Sequence, residues 1–179
     1  MKLSVSKVLT IIALITLTTT TIVAQGTTGV KWYTIEEAEK LAKASPRPIF
    51  IDTYTDWCSW CVKLDKETFS HPVIVNILNT KFYAVKFDAE GKDDVVFKGT
   101  TFKNDGKNGR THQLAVALLQ GKMSYPSVVF MNENIELLTV VPGFRQAPEM
   151  EPVLMFFADK AYLTQTFDLF NQSFKSSIK

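Results

Sequence analysis

The chain contains only two cysteines, Cys58 and Cys61, three positions apart where an apolar run meets a helix-compatible one. Pro48-Ile49-Phe50-Ile51 leads into them, and Val62-Lys63-Leu64-Asp65-Lys66-Glu67-Thr68-Phe69 follows. That junction predicts a strand handing over to a helix, with Cys58 at the helix start and Cys61 one turn further along the same face. A disulfide across so short a loop restricts the unfolded chain very little, so it suits a bond that is made and broken better than a staple. Exchange requires a thiolate. The unpaired amides and macrodipole of a helix N-terminus favour the anionic sulfur. Cys58 is therefore expected to attack, and the less accessible Cys61 to resolve the mixed disulfide. Two other readings stay open on the same residues. One is half of a zinc site, completed by His71, His112 or carboxylates. The other is a pair of inert buried thiols, with Trp57 and Trp60 as core residues around them.

At 179 residues, 46% of them hydrophobic and 12% aromatic, the chain is expected to form one domain with a real core, which argues against a disordered chain. A net charge of +2, with no basic stripe interleaved with aromatics, points away from nucleic acid. Lys2 and Lys7 flank the start of the apolar stretch Val8–Leu17, and Val23-Ala24-Gln25 offers cleavage after Ala24. Residues 1–24 are thus expected to be an export signal. Ile22 is larger than such a site prefers, so an uncleaved membrane anchor through residues 8–24 is the alternative. Either way the folded part is expected to work in the periplasm or beyond, where a lone thiol pair reads as redox-active.

Residues 25–31 read as a flexible linker, and the folded domain spans 32–179. Thr34-Ile35-Glu36-Glu37 is a capping box, opening a helix to about Ala44 that turns Ile35, Ala38, Leu41 and Ala42 inward. Ile49 to Tyr54 reads as a buried strand in which Asp52 is the anomaly. Asp52 either faces solvent at the strand end or accepts a proton beneath the cysteines. His71 reads as a cap before Pro72, which opens a helix. Phe82–Phe87 is the next strand, with Lys86 either snorkelling to solvent or lying near Asp52. Residues 91–110 read as a surface insertion carrying a short helix. Thr111–Leu119 reads as a helix with a solvated His112 in its first turn and Gly121 at its end. Val128–Met131 and Ile135–Val141 read as a hairpin, and Glu149 to about Phe174 as a helical extension interrupted near 163–166.

In this order the elements resemble the thioredoxin fold over about residues 32–160, and within it the exported thiol–disulfide oxidoreductases. Trp57-Cys58-Ser59-Trp60-Cys61 matches the W-C-x-x-C motif of that family. Asp52 falls where many thioredoxins keep a buried aspartate, and Lys86 where they keep its lysine partner. Tyr125-Pro126 matches the cis-proline facing the cysteines, and Gly143 the glycine beside it. The resemblance implies an α/β fold: a central mixed sheet of about four to five strands, flanked by helices on both faces. An insertion precedes the cis-proline strand, and a helical extension follows the last one.

The resemblance also implies Cys58, Cys61, Asp52 and Lys86 as catalytic residues, with Trp57, Trp60, Tyr125, Pro126 and Gly143 towards the substrate. No cofactor and no metal is implied. The partners would be exported proteins bearing thiols or disulfides, and a redox protein that recycles the pair. Ser59-Trp60 replaces the Gly-Pro of cytoplasmic thioredoxin, and neither histidine lies between the cysteines, which leans towards reduction or isomerisation. Two further classes compete. One is a binding module or chaperone that holds exported chains on Trp57, Trp60 and Tyr125; the other is a metal-binding chaperone.

Overall fold

Residues 49–54 form the central strand because neighbours cover both edges and both faces. The computed structural model describes residues 29–179. The expected export signal and the first part of the linker lie outside the described residues. The elements run β1 (Trp32–Tyr33), α1 (Ile35–Ala44), β2 (Ile49–Tyr54), α2 (Ser59–Glu67), α3 (Pro72–Lys81), β3 (Tyr83–Asp88), β4 (Val95–Phe97) and β5 (Thr100–Phe102). They continue with α4 (Gln113–Leu118), β6 (Ser127–Met131), β7 (Leu137–Pro142), α5 (Ala147–Ala158), a 3-10 turn (Ala161–Leu163) and α6 (Phe167–Ser173). Five strands make one mixed sheet in the order β1-β3-β2-β6-β7, with β2 parallel to β3 and antiparallel to β6. This is the helix-flanked mixed sheet that the sequence led us to expect. Among the described residues, no helix is long and apolar enough to cross a membrane.

Side chains alternate across a strand, and β2 divides its residues between two cores. Ile49 and Ile51 join Ile35 and Ala38 of α1, Val85 and Leu114 on one face. Phe50 joins Leu64 of α2, Ile74 and Leu78 of α3, and Leu154 of α5 on the other. Asp52 follows Phe50 by two positions and therefore points to the α2 side of the sheet. That placement matters for the site below.

Thr34 caps α1 as expected. Its Oγ1 accepts the Glu37 amide at 3.2 Å, and Glu37 Oε2 accepts the Thr34 amide at 2.9 Å. Thr34→Ala is expected to lower stability by about 1 kcal/mol. The readout is a lower urea midpoint with an unchanged slope. The inward face of α1 differs from expectation at two positions: Leu41 is only partly buried, and Glu39 is buried. The reason is a partner that the helical period does not show. Glu39 Oε2 accepts the backbone amide of Lys98 at 2.9 Å.

Lys98 belongs to the insertion, which is a β-hairpin rather than the expected short helix. Its two short strands are β-branched and aromatic, and Lys98-Gly99 between them both take positive φ, as a two-residue hairpin turn favours. Phe97 anchors the hairpin in the core. His112 is also corrected: it is 1% exposed rather than solvated. Its Nδ1 accepts the Leu114 amide at 3.0 Å, which caps α4, and its Nε2 lies 3.1 Å from the Asp93 carbonyl. His71 caps α3 as expected, accepting from Val73 at 3.3 Å. The C-terminal extension breaks at Asp159, earlier than expected, where Lys160 turns left-handed at φ 56°. At the other end, Val30 packs on the core, and the Lys31 amide donates to Asn79 Oδ1 at 2.7 Å.

Candidate active site

The strand-to-helix junction after β2 places Cys58 at the N-cap of α2. Its Sγ accepts the Cys61 amide at 3.1 Å, an amide of the first helical turn that is shared with the Cys58 carbonyl at 3.0 Å. The two sulfurs are joined, with an S–S distance of 2.06 Å and Cα atoms 5.3 Å apart. Cys58 is 5% and Cys61 3% exposed, so the expected difference in accessibility is small while the bond is closed. Trp57 and Trp60 are not core residues: they are 59% and 54% exposed, on either side of Cys58.

A second loop meets the first at the same end of the sheet. Thr53 pairs in register with Ser127, and its Oγ1 donates to the Ser127 carbonyl at 2.6 Å. The preceding Tyr125–Pro126 bond is cis. The Tyr125 ring meets the Trp57 ring edge-on, with centroids 6.0 Å apart. Gly143 takes φ +90°, and its amide donates to the Pro126 carbonyl at 2.8 Å. A residue with a Cβ would be strained there. Next to it, Phe144 packs against Trp60 at 5.4 Å, and Lys63 Nζ lies 5.0 Å from both ring centres. Sequence reading missed Phe144, because nothing in the pattern around residue 143 marks a contact with α2.

Asp52 is 1% exposed, which removes the solvent-facing reading. Lys86, its partner in the β2–β3 register, donates to Asp52 Oδ2 at 2.6 Å. Lys86 Nζ also pairs with Asp65 on α2 and lies 5.0 Å from the Tyr54 ring centre. Asp52 is thereby tied through Lys86 to the helix that carries both cysteines. Asp65 was another omission; its position four residues after Cys61, one turn along the same helix, was the available signal. Burial pushes the Asp52 carboxyl up from 3.8 to about 6, against the pull of Lys86, and the charge of Asp65 adds to the rise. Burial works to lower the Lys86 ammonium, but Asp52 and Asp65 outweigh it and hold the pKa above its ordinary value. The second oxygen of Asp52, Oδ1, has no protein partner among the described residues. The chain's two histidines are committed to capping α3 and α4, and the described residues hold no group of three or more His, Cys, Asp or Glu able to bind a metal.

Residues 13–155 match the family model Thioredox_DsbH, described as "Protein of unknown function, DUF255". Thiol:disulfide interchange protein DsbD of Pectobacterium atrosepticum is 49% identical over 120 residues, which is 66% of this chain and 18% of that protein. Spermatogenesis-associated protein 20 of Mus musculus is 30% identical over 117 residues, which is 65% of this chain and 15% of that protein. The chain thus spans less than a fifth of either relative. Among solved structures, a thioredoxin from Thermus thermophilus superposes with a TM-score of 0.52 at 19% identity, covering 70% of this chain and 85% of that one. At that identity the likeness concerns the fold.

Proposed function

This chain belongs to the Thioredox_DsbH family, and from that membership and the site geometry we propose that it exchanges disulfides with other proteins through Cys58 and Cys61, as a reductase or isomerase. The observation that carries the reading is the closed Cys58–Cys61 bond at the start of α2, with the Cys61 amide aimed at the Cys58 sulfur. After reduction, that amide and the helix start favour a Cys58 thiolate. The thiolate attacks a partner disulfide, forming a Cys58–partner bond and releasing the partner's other sulfur as a thiolate. Cys61 then loses its proton and attacks Cys58, closing the Cys58–Cys61 bond and releasing the partner's second thiolate.

Asp52 is the proposed acceptor of the Cys61 proton, and a carboxyl near 6 suits that task at neutral pH. Lys86 holds the carboxylate in place. Trp57, Trp60, Tyr125, Pro126 and Gly143 form the surface that meets the partner chain. The chain 32–179 would act as one exported thioredoxin-like unit behind a signal at 1–24. A second redox protein would return the pair to its working state.

Insulin-disulfide reduction tests this directly. Wild type should accelerate the reaction over dithiol alone, and Cys58→Ser should not, because a serine hydroxyl forms no exchangeable sulfur bond. Equal rates for the two proteins would leave the exposed Trp57 and Trp60 surface as a binding module and remove the enzyme.

A further inference from the structure

The charges around the cysteine pair are sorted by side. On the side of Trp60 and Phe144 stand two cations. Lys63 Nζ lies over both rings, and its only carboxylate within ion-pair distance among the described residues is Glu67, 3.8 Å away and itself exposed. Arg145 Nη1 donates to the carbonyls of Pro142 and Gly143 at 2.8 and 3.3 Å, contacts that leave its charge uncompensated. On the side of Trp57 and Tyr125 stand acids. Asp56 is exposed immediately before Trp57. Asp88 and Glu90 leave β3 towards Tyr125, and the Asp88 carboxylate accepts the Glu90 amide at 2.9 Å. Cations oppose them at two points: Arg110 is 3.5 Å from Glu90 and 72% exposed, and Lys86 pulls against Asp88 and Asp56 at Tyr54. Tyr125 and Tyr54 feel this field. Burial raises the Tyr125 hydroxyl, and Glu90 and Asp88 add to it; burial raises Tyr54, and Asp88 and Asp56 add to it.

We propose that this face orients the partner: it takes a disulfide-bearing polypeptide segment whose cysteine is flanked by a basic residue towards Asp56 and Glu90 and an acidic residue towards Lys63 and Arg145. The proposal rests on the exchange reading above and adds the class of partner sequence. An extended segment advances about 3.3 Å per residue, so residues two places either side of its cysteine stand about 13 Å apart. Charges so placed gain on one side and on the other. The Tyr125 backbone beside the cis bond pairs with the extended segment and fixes its direction, so a segment with the opposite order meets like charge on both sides, and that contrast gives specificity more than affinity.

The test uses two pentapeptides, Lys-Gly-Cys-Gly-Glu and Glu-Gly-Cys-Gly-Lys, blocked at both ends and each joined through its cysteine to thionitrobenzoate. The protein, reduced with a dithiol and freed of it, reacts with each, and the released coloured thiolate gives a second-order rate constant. The rate ratio of the two orders is compared within one protein, so any general loss of activity cancels. At low salt the favoured order should react roughly fivefold faster, the size of effect a few exposed charge contacts supply. The ratio should shrink towards one at 0.5 M salt. In Lys63→Glu/Arg145→Glu, where both sides are acidic, the ratio should also fall to about one. A ratio of one in wild type at low salt, or a ratio that survives the double reversal, overturns the orientation proposal while leaving exchange standing. No reaction with either peptide overturns both.

Discussion

Cys61→Ala is expected to hold partner proteins on Cys58 as stable mixed disulfides, and Cys58→Ala to hold none. The asymmetry follows from the helix start. Cys58 is the N-cap and its sulfur accepts an amide of the first turn, whereas Cys61 lies inside α2. The thiolate fraction that governs attack therefore favours Cys58. Without Cys61, the second displacement has no nucleophile, and full turnover should drop to the uncatalysed rate. Non-reducing gels after acid quenching, followed by mass spectrometry of the slower bands, count the trapped species. Trapping by Cys58→Ala in place of Cys61→Ala would reverse the assignment of roles.

The second large effect concerns Asp52. Its carboxyl is held near 6 in the folded protein and near 3.8 once unfolded. The folded state therefore grips the proton more tightly. Its contribution to stability is complete below about pH 4 and is lost as pH rises through 6. The interval from 3.8 to about 6 corresponds to about 3 kcal/mol. Measured against Asp52→Asn, wild type should accordingly lose about that much unfolding free energy between pH 4 and pH 7. Asp52→Asn lacks that component, and it should be the more stable protein at pH 7. The same variant should exchange disulfides more slowly at neutral pH, because it cannot take the Cys61 proton.

Lys86→Met should go the other way. It strips a buried carboxylate of its cation, a change that costs about 3–5 kcal/mol in buried pairs, and adding Asp52→Asn should restore most of the loss. Urea titrations across pH 4 to 8 measure all four proteins. Parallel pH profiles for wild type and Asp52→Asn would show that the carboxyl titrates as if exposed.

Much of this was legible in the residues because the local signals and the tertiary structure agree. The apolar run before Cys58, the capping box at Thr34 and Pro72 after His71 each specify an element within a few positions. Asp52 was conspicuous because a charge in a central strand needs a reason. What the sequence hid was pairing across distance. Glu39 looks like a surface residue of α1 until the hairpin brings the Lys98 amide to it. His112 looks solvated until Asp93 and the start of α4 enclose it. Asp65 reads as one charge among several on an exposed helix, and only the Lys86 side chain shows which acid faces the sheet. Phe144 carries no signal of its own, since its contact with Trp60 depends on where β7 ends.

The midpoint potential of the Cys58–Cys61 couple, measured by equilibration in graded glutathione or dithiothreitol buffers, tests the proposed exchange most directly. A pair that cycles should interconvert within the experiment, with a midpoint above about −300 mV, in the range that spans thioredoxins and disulfide isomerases. A bond that stays closed in buffers well below that value would be a structural link, and the proposed exchange chemistry would be wrong.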